Sequence, residues 1–317
     1  ENIYNIICIL TNKDKLFSSY KVINCDILSD KIKLSNLDTV FEEYDTILLY
    51  VYATNKMISS KLKLKHIYSY SLDIPNFLLL LTGQSNALGW GGISDPYNDN
   101  DKQHERISGW NITSQSWEIA NLENTSLGMK PPHNQCLAFH FAKCLVKLHK
   151  NAHVGIIVIG EGGQSINRWT EHFQGDIFNQ SVHHCSLAIT KSISKNLSCI
   201  LWHQGEGDED KNNTYYEKYL REVIAQYRNS DFCKLDTPFI CGDLGGKSFY
   251  WWDANRQTKA LREMNADADR NTRCANLSDL EMNEDNIHFS SDSHRKMGKL
   301  YFNEFRTISN NQRKYCL

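Results

Sequence analysis

Apolar runs of strand length recur along the last three-quarters of this chain. They fall at Phe77–Leu81, Val154–Ile159, Cys199–Trp202 and Pro238–Cys241. Between them the apolar positions change to helical spacing. Leu137, Phe141, Cys144 or Leu145, and Leu148 share one helix face, as do Tyr216, Leu220, Val223 and Tyr227, and the stretch from Ser291 to Phe305 closes the chain in the same way. Strands apolar on both faces, alternating with amphipathic helices, predict an α/β fold: three layers, α/β/α, around a central parallel sheet. The stretch from about Gly89 to Pro132 reads as one long polar loop holding Trp90, Trp110 and Trp117.

Residues 1–75 differ. They carry β-type segments at Ile3–Thr11, Lys21–Leu28 and Tyr44–Ala53, and none of the chain's 17 glycines. That shift predicts two parts: a small N-terminal α/β module or extension of unknown role over 1–75, and the main domain over 76–317.

Composition narrows the function classes. Of 317 residues, 41% are hydrophobic and 23% charged, so a sizeable core can form. The net charge of −2 offers no electrostatic footprint for nucleic acid. No apolar run reaches the length of a membrane span, and no signal peptide is visible. The chain opens on Glu1, not Met, so its compartment is left open, as is its oligomeric state. Ten cysteines occur without a C-x-x-C pair, which argues for buried thiols and against a metal site, with disulfides still open. The acidic run from Asp208 fails as a calcium loop, since its sixth position is Asn213 and its twelfth Tyr219.

Each of the four apolar runs ends in glycines mixed with polar side chains: Thr82-Gly83-Gln84-Ser85-Asn86, Gly160-Glu161-Gly162-Gly163-Gln164-Ser165, His203-Gln204-Gly205-Glu206-Gly207-Asp208, and Gly242-Asp243-Leu244-Gly245-Gly246. In an open parallel sheet these carboxyl ends lie along one edge, where ligands bind. A serine at such a turn is a candidate nucleophile that needs a base. Asp285-Asn286-Ile287-His288 supplies one, because residues three apart on a turn can face each other and the carboxylate can orient the imidazole. An unperturbed imidazole titrates near 6.5, so it works close to neutrality. His294, His203, His183 and His184 are rivals for the same role. The backbone N–H groups of Ser85 and Gly163 and the side-chain amide of Gln204 are candidate oxyanion donors. Glu206 and Asp208 are read as tying down their loop or capping the following helix. Gly83-x-Ser85-x-Ala87 misses the G-x-S-x-G elbow, which disfavours the α/β-hydrolase fold.

These blocks resemble the SGNH-hydrolase superfamily, a flavodoxin-like fold, and within it the carbohydrate esterases that include sialate O-acetylesterases and acetylxylan esterases. The resemblance rests on Gly83 to Asn86, on Gly162-Gly163-Gln164-Ser165-Ile166 with Trp169, on Trp202 to Asp208, and on Asp285 to Phe289. It implies Ser85 as nucleophile, Asp285 and His288 as its partners, and Ser85, Gly163 and Gln204 as oxyanion donors. It leaves Gln84, Asn86, Trp169, Glu206 and Asp208 for substrate binding or loop support. It implies no metal or organic cofactor and an acetylated carbohydrate, sialic acid or a polysaccharide, as substrate. The same triad would serve an O-acetyltransferase, and a catalytically inactive glycan-binding module is the non-enzymatic alternative. Gln164 stands where the family commonly has a small residue, which implies an altered pocket wall.

Overall fold

The computed structural model describes residues 74–91, 98–122, 127, 135–245, 255–266 and 271–312, and the backbone of the strands of residues 1–72 named below. The chain divides into two compact units, Glu1–Leu72 and Asp73–Leu317. In the first, β1 (Asn5–Thr11), β4 (Thr46–Ala53) and β5 (Lys56–Lys63) form an antiparallel sheet in the order β1-β4-β5, and β2 (Cys25–Leu28) pairs with β3 (Lys31–Leu34). Any helix of an α/β module would lie outside its described residues.

The second unit is built on a seven-stranded sheet in the order β12-β11-β10-β6-β9-β7-β8. Its members are β6 (Phe77–Gly83), β7 (Ile107–Asn111), β8 (Ser116–Ile119), β9 (Val154–Gly160), β10 (Cys199–His203), β11 (Phe239–Gly242) and β12 (Thr272–Ala275). All pairings are parallel except that of β8 with β7. The helices are α1 (Leu137–Leu148), α2 (Asp176–Thr190), α3 (Asn213–Arg228), α4 (Asn255–Glu263) and α5 (Ser291–Gln312).

Strand β6 shows why the layers number three. Side chains alternate along a strand, so Phe77, Leu79 and Leu81 enter one core with residues of α1 and α5. Leu78 and Leu80 enter a second core with residues of α2, α3 and α4. Every residue of β6 is buried. A fully buried leucine contributes about 1.5–3 kcal/mol of transfer free energy, so an unbroken apolar strand suits only a sheet covered on both faces. Edge-on ring contacts knit the α1–α5 side, with Phe141 against Phe302 and Phe77 against Phe305.

Two sequence expectations change, and a third, on the cysteines, is met. The segment read as one long loop contains the β7–β8 hairpin, and Trp110 is wholly buried with its ring edge-on to Trp117. Those two rings cement the sheet edge. Leu148 projects outward at the end of α1, where the helix outruns the core. The seven described cysteines are free thiols, six buried and Cys144 half-buried. Burial pushes the Cys136 thiol up to about 11 and the Cys233 thiol to about 12. Cys8, Cys25 and Cys316 lie outside the described side chains.

Candidate active site

The carboxyl ends of three central strands stand level: Gly83 of β6 pairs with Gly160 of β9 and with His203 of β10. Packing there is tight. A methyl on Gly83, whose φ is +143°, would meet the His203 carbonyl oxygen at 2.0 Å, and one on Gly160 would meet that of Gly83 at 2.1 Å. Only glycine lets these strand ends run so close before the chain turns.

The turn after β6 presents Ser85, of which 5% is exposed. His288 lies 203 residues later, just before an isolated bridge of Phe289 to Met282. Its Nε2 is 3.0 Å from Ser85 Oγ and its Nδ1 is 2.7 Å from Asp285 Oδ2. The other carboxylate oxygen of Asp285 accepts from the backbone N–H groups of Ile287 and His288, both at 2.9 Å. Burial alone would raise the Asp285 carboxyl, but these N–H groups and the imidazole hold it below its ordinary value. A carboxylate can only accept, so Nδ1 carries the proton and Nε2 offers its lone pair to the serine hydroxyl. The aspartate thus sets the tautomer a general base needs. The turn closes through Asn286 at φ +53°, a left-handed conformation that asparagine tolerates.

The rival histidines are engaged elsewhere. His294 is fully buried and its Nε2 lies 3.1 Å from the Trp90 carbonyl. His184 Nδ1 accepts from Trp110 Nε1 at 3.4 Å, and its ring packs against that of His183. His203 is buried beneath the site with Nδ1 3.0 Å from the Tyr301 hydroxyl. That hydroxyl donates to the Trp202 carbonyl, so Nδ1 of His203 is the donor and its Nε2 faces Glu206 Oε1 at 3.4 Å.

Of the candidate oxyanion donors, the N–H groups of Ser85 and Gly163 have no hydrogen-bond partner among the described residues. Gly163 is left-handed at φ +68°, and the Gly162–Gly163 turn lies against the serine: a methyl on Gly162 would sit 3.6 Å from Ser85 Cβ. The side chain of Gln164 folds back, donating to the Gly162 carbonyl and accepting from Arg168, so it braces this turn.

Gln204 corrects the sequence reading. It is wholly buried, and its Nε2 donates to the Gln164 carbonyl at 2.9 Å and to Asp208 Oδ2 at 2.6 Å. Both amide hydrogens are therefore spent inside the protein, and its Oε1 faces the Tyr216 hydroxyl at 2.9 Å. No donor is left over for an oxyanion.

The remaining residues are supports. Asp208 accepts from Ser165 Oγ at 2.5 Å and from the Ile166 N–H at 2.8 Å as well as from Gln204, stapling the β9 loop to the β10 loop. Burial pushes its carboxyl above the ordinary value despite these bonds. Gln84 Oε1 accepts from the Gly207 N–H at 3.0 Å and joins the β6 turn to the β10 loop. Asn86 donates to Glu206 Oε1 at 2.7 Å and bonds the segment carrying His288. Burial alone would raise the Glu206 carboxyl, but His203 and Asn86 bring it below its ordinary value. Trp169 is fully buried, with Nε1 donating to Thr82 Oγ1 at 2.9 Å. None of these five presents itself as a substrate contact. The sequence singled out Trp90 only as one of three loop tryptophans with aromatic faces suited to sugars; the structure stacks its indole on the His288 ring, with centroids 5.9 Å apart and planes 28° apart. Its place five residues after Ser85 was the available signal.

Solved structures share this fold at low identity. A protein from Arabidopsis thaliana aligns at 18% identity and a TM-score of 0.62, over 74% of this chain and 98% of its own. A carbohydrate acetylesterase from Xanthomonas citri gives 14% and 0.57, over 98% of this chain and 72% of its own. NanS gives 16% and 0.53, over 76% and 99%. No curated protein sequence matches the chain. These solved structures share the fold described above, a mostly parallel sheet with helices on both faces. Residues 75–307 match the family described as carbohydrate esterase, sialic acid-specific acetylesterase (SASA), and the chain belongs to that family.

Proposed function

We propose that Ser85, His288 and Asp285 carry the carbohydrate acetylesterase chemistry of this family, removing an O-acetyl group from a sugar through an acetyl-enzyme. The observation that supports this is the unbroken chain from Asp285 Oδ2 to His288 to Ser85 Oγ, at 2.7 and 3.0 Å. Ser85 Oγ attacks the acetyl carbonyl while its proton passes to His288 Nε2. The carbonyl oxygen takes up the negative charge and accepts from the N–H groups of Ser85 and Gly163. Collapse breaks the bond to the sugar oxygen, which receives the proton from Nε2. Water then attacks the acetyl carbon, giving a proton to Nε2. A second collapse releases acetate and returns that proton to Ser85 Oγ. Asp285 keeps the imidazole in one tautomer and stabilises it when protonated. In this reading residues 76–317 are the esterase domain and residues 1–75 a separate module.

The test is release of chromophore from an activated aryl acetate, followed by acetate release from O-acetylated sialic acid and acetylated xylan. Ser85→Ala and His288→Ala should each lose about 10⁴-fold or more in kcat. A wild-type protein no faster than the two variants would overturn the assignment. Transfer of acetyl to an added sugar hydroxyl in preference to water would make the protein an acetyltransferase.

A further inference from the structure

We infer that Trp90 is the platform for the leaving-group sugar, binding the pyranose ring that carries the acetyl ester; this rests on the triad assignment above. The proton that frees the sugar oxygen comes from His288 Nε2, so the alcohol side of the ester must lie at the imidazole. The side chain stacked on that imidazole is Trp90. Its backbone belongs to the nucleophile's own turn, with its N–H donating to the Ser85 carbonyl at 3.0 Å and its carbonyl facing His294 Nε2 at 3.1 Å. The indole's placement therefore follows Ser85 directly.

Two further observations fit a sugar platform. Trp90 is 39% exposed, whereas Trp110, Trp169 and Trp202 are wholly buried. An indole ordered on both backbone sides yet still open to solvent offers an apolar face at little entropic cost. Moreover, a methyl on Gly162 would come 3.6 Å from Ser85 Cβ and 3.8 Å from Trp90 Cζ2. The nucleophile and the indole edge thus border one gap, left clear because residue 162 has no side chain. A pyranose chair seated on the exposed indole of Trp90 would hold an ester on its rim toward that gap and Ser85. The platform accordingly favours acetyl groups borne directly on a pyranose ring.

The test compares two acetyl esters with the full chain: methyl tri-O-acetyl-xylopyranoside, whose leaving group is a sugar ring, and ethyl acetate, whose leaving group has none. Trp90→Ala should lower the ratio of kcat/KM for the xyloside over ethyl acetate about tenfold, chiefly through KM, and Trp90→Phe should restore most of it. An equal loss on both esters would mean that Trp90 acts only on His288 and would overturn the platform, as would no loss on either. A calorimetric titration of Ser85→Ala with the same xyloside separates this from failure of the triad. Binding about tenfold weaker when Trp90→Ala is added supports the platform even if wild type hydrolyses neither ester. Binding that is absent or indifferent to Trp90 overturns it whatever the triad does.

Discussion

Asn86 holds the backbone on both sides of His288: its Nδ2 donates to the Ile287 carbonyl at 3.0 Å, and its Oδ1 accepts from the Phe289 N–H at 3.1 Å. The residue next to the nucleophile thus fixes the loop that brings the base. Asn86→Ala should cost about 2 kcal/mol or more in unfolding free energy, because it strands buried partners. It should also lower kcat with little change in KM, since the His288–Ser85 distance is no longer enforced. Denaturant unfolding and steady-state kinetics on the same preparation check both; a variant with unchanged kcat would show that the loop holds itself.

Asp285 offers no substitute donor or acceptor pattern. In Asp285→Asn the amide oxygen can still accept from the turn's N–H groups, but the carboxylate that faces Nδ1 is gone. We expect kcat to fall by about 10²–10⁴ with the fold intact by circular dichroism. A loss under threefold would mean that the turn alone orients the imidazole.

Gln204 separates two roles cleanly. As a buried brace with both hydrogens committed, its replacement by alanine should lose about 2 kcal/mol or more of stability. An oxyanion donor would instead lose 10²–10³ in kcat at unchanged stability, roughly the cost of one such donor. Comparing the urea midpoint with kcat for Gln204→Ala decides between them.

Two glycines of the site should respond in opposite ways. A methyl at Gly83 would collide with the His203 backbone, so Gly83→Ala should not yield folded protein. At Gly163 a methyl meets nothing within 4 Å, and the cost is only that of a left-handed alanine, about 1–2 kcal/mol. Gly163→Ala should therefore fold and keep its N–H. Soluble yield and thermal unfolding check the pair.

Acid should destabilise the domain through His294. Burial pushes its imidazole down to about 4 from an ordinary 6.5, with the Trp90 carbonyl pulling the other way. Between those values the unfolded chain binds a proton that the folded one does not, so stability falls as pH drops. Complete passage through that window is worth roughly 3 kcal/mol for this group. Buried His140, also pushed down, acts in the same sense. Asp208, pushed up, acts in the opposite sense near the carboxylate range, so the comparison belongs at pH 5–7. Urea midpoints should drop from pH 7 to pH 5, and His294→Asn should flatten the slope; an unchanged slope would count against a buried neutral His294.

The legible part of this protein is what local chemistry dictates. Unbroken apolar runs such as Phe77–Leu81 can be stable only inside a sheet covered on both faces, so the central strands and the three layers followed from the sequence. The polar-and-glycine endings pointed to one edge of that sheet, and the Asp285–His288 spacing was short enough for a single turn to satisfy. The β7–β8 hairpin was hidden because Trp110 and Trp117 sit among polar turn formers, and only pairing to β9 makes that segment a strand. The spacing from Asp285 and the family resemblance named His288 among five histidines, and tertiary structure alone brings its Nε2 to Ser85 across 203 residues. It also turned Gln204 from a donor into a brace and set Trp90 on His288. Residue type says what a side chain can bond; only the folded neighbourhood says which bonds are already spent.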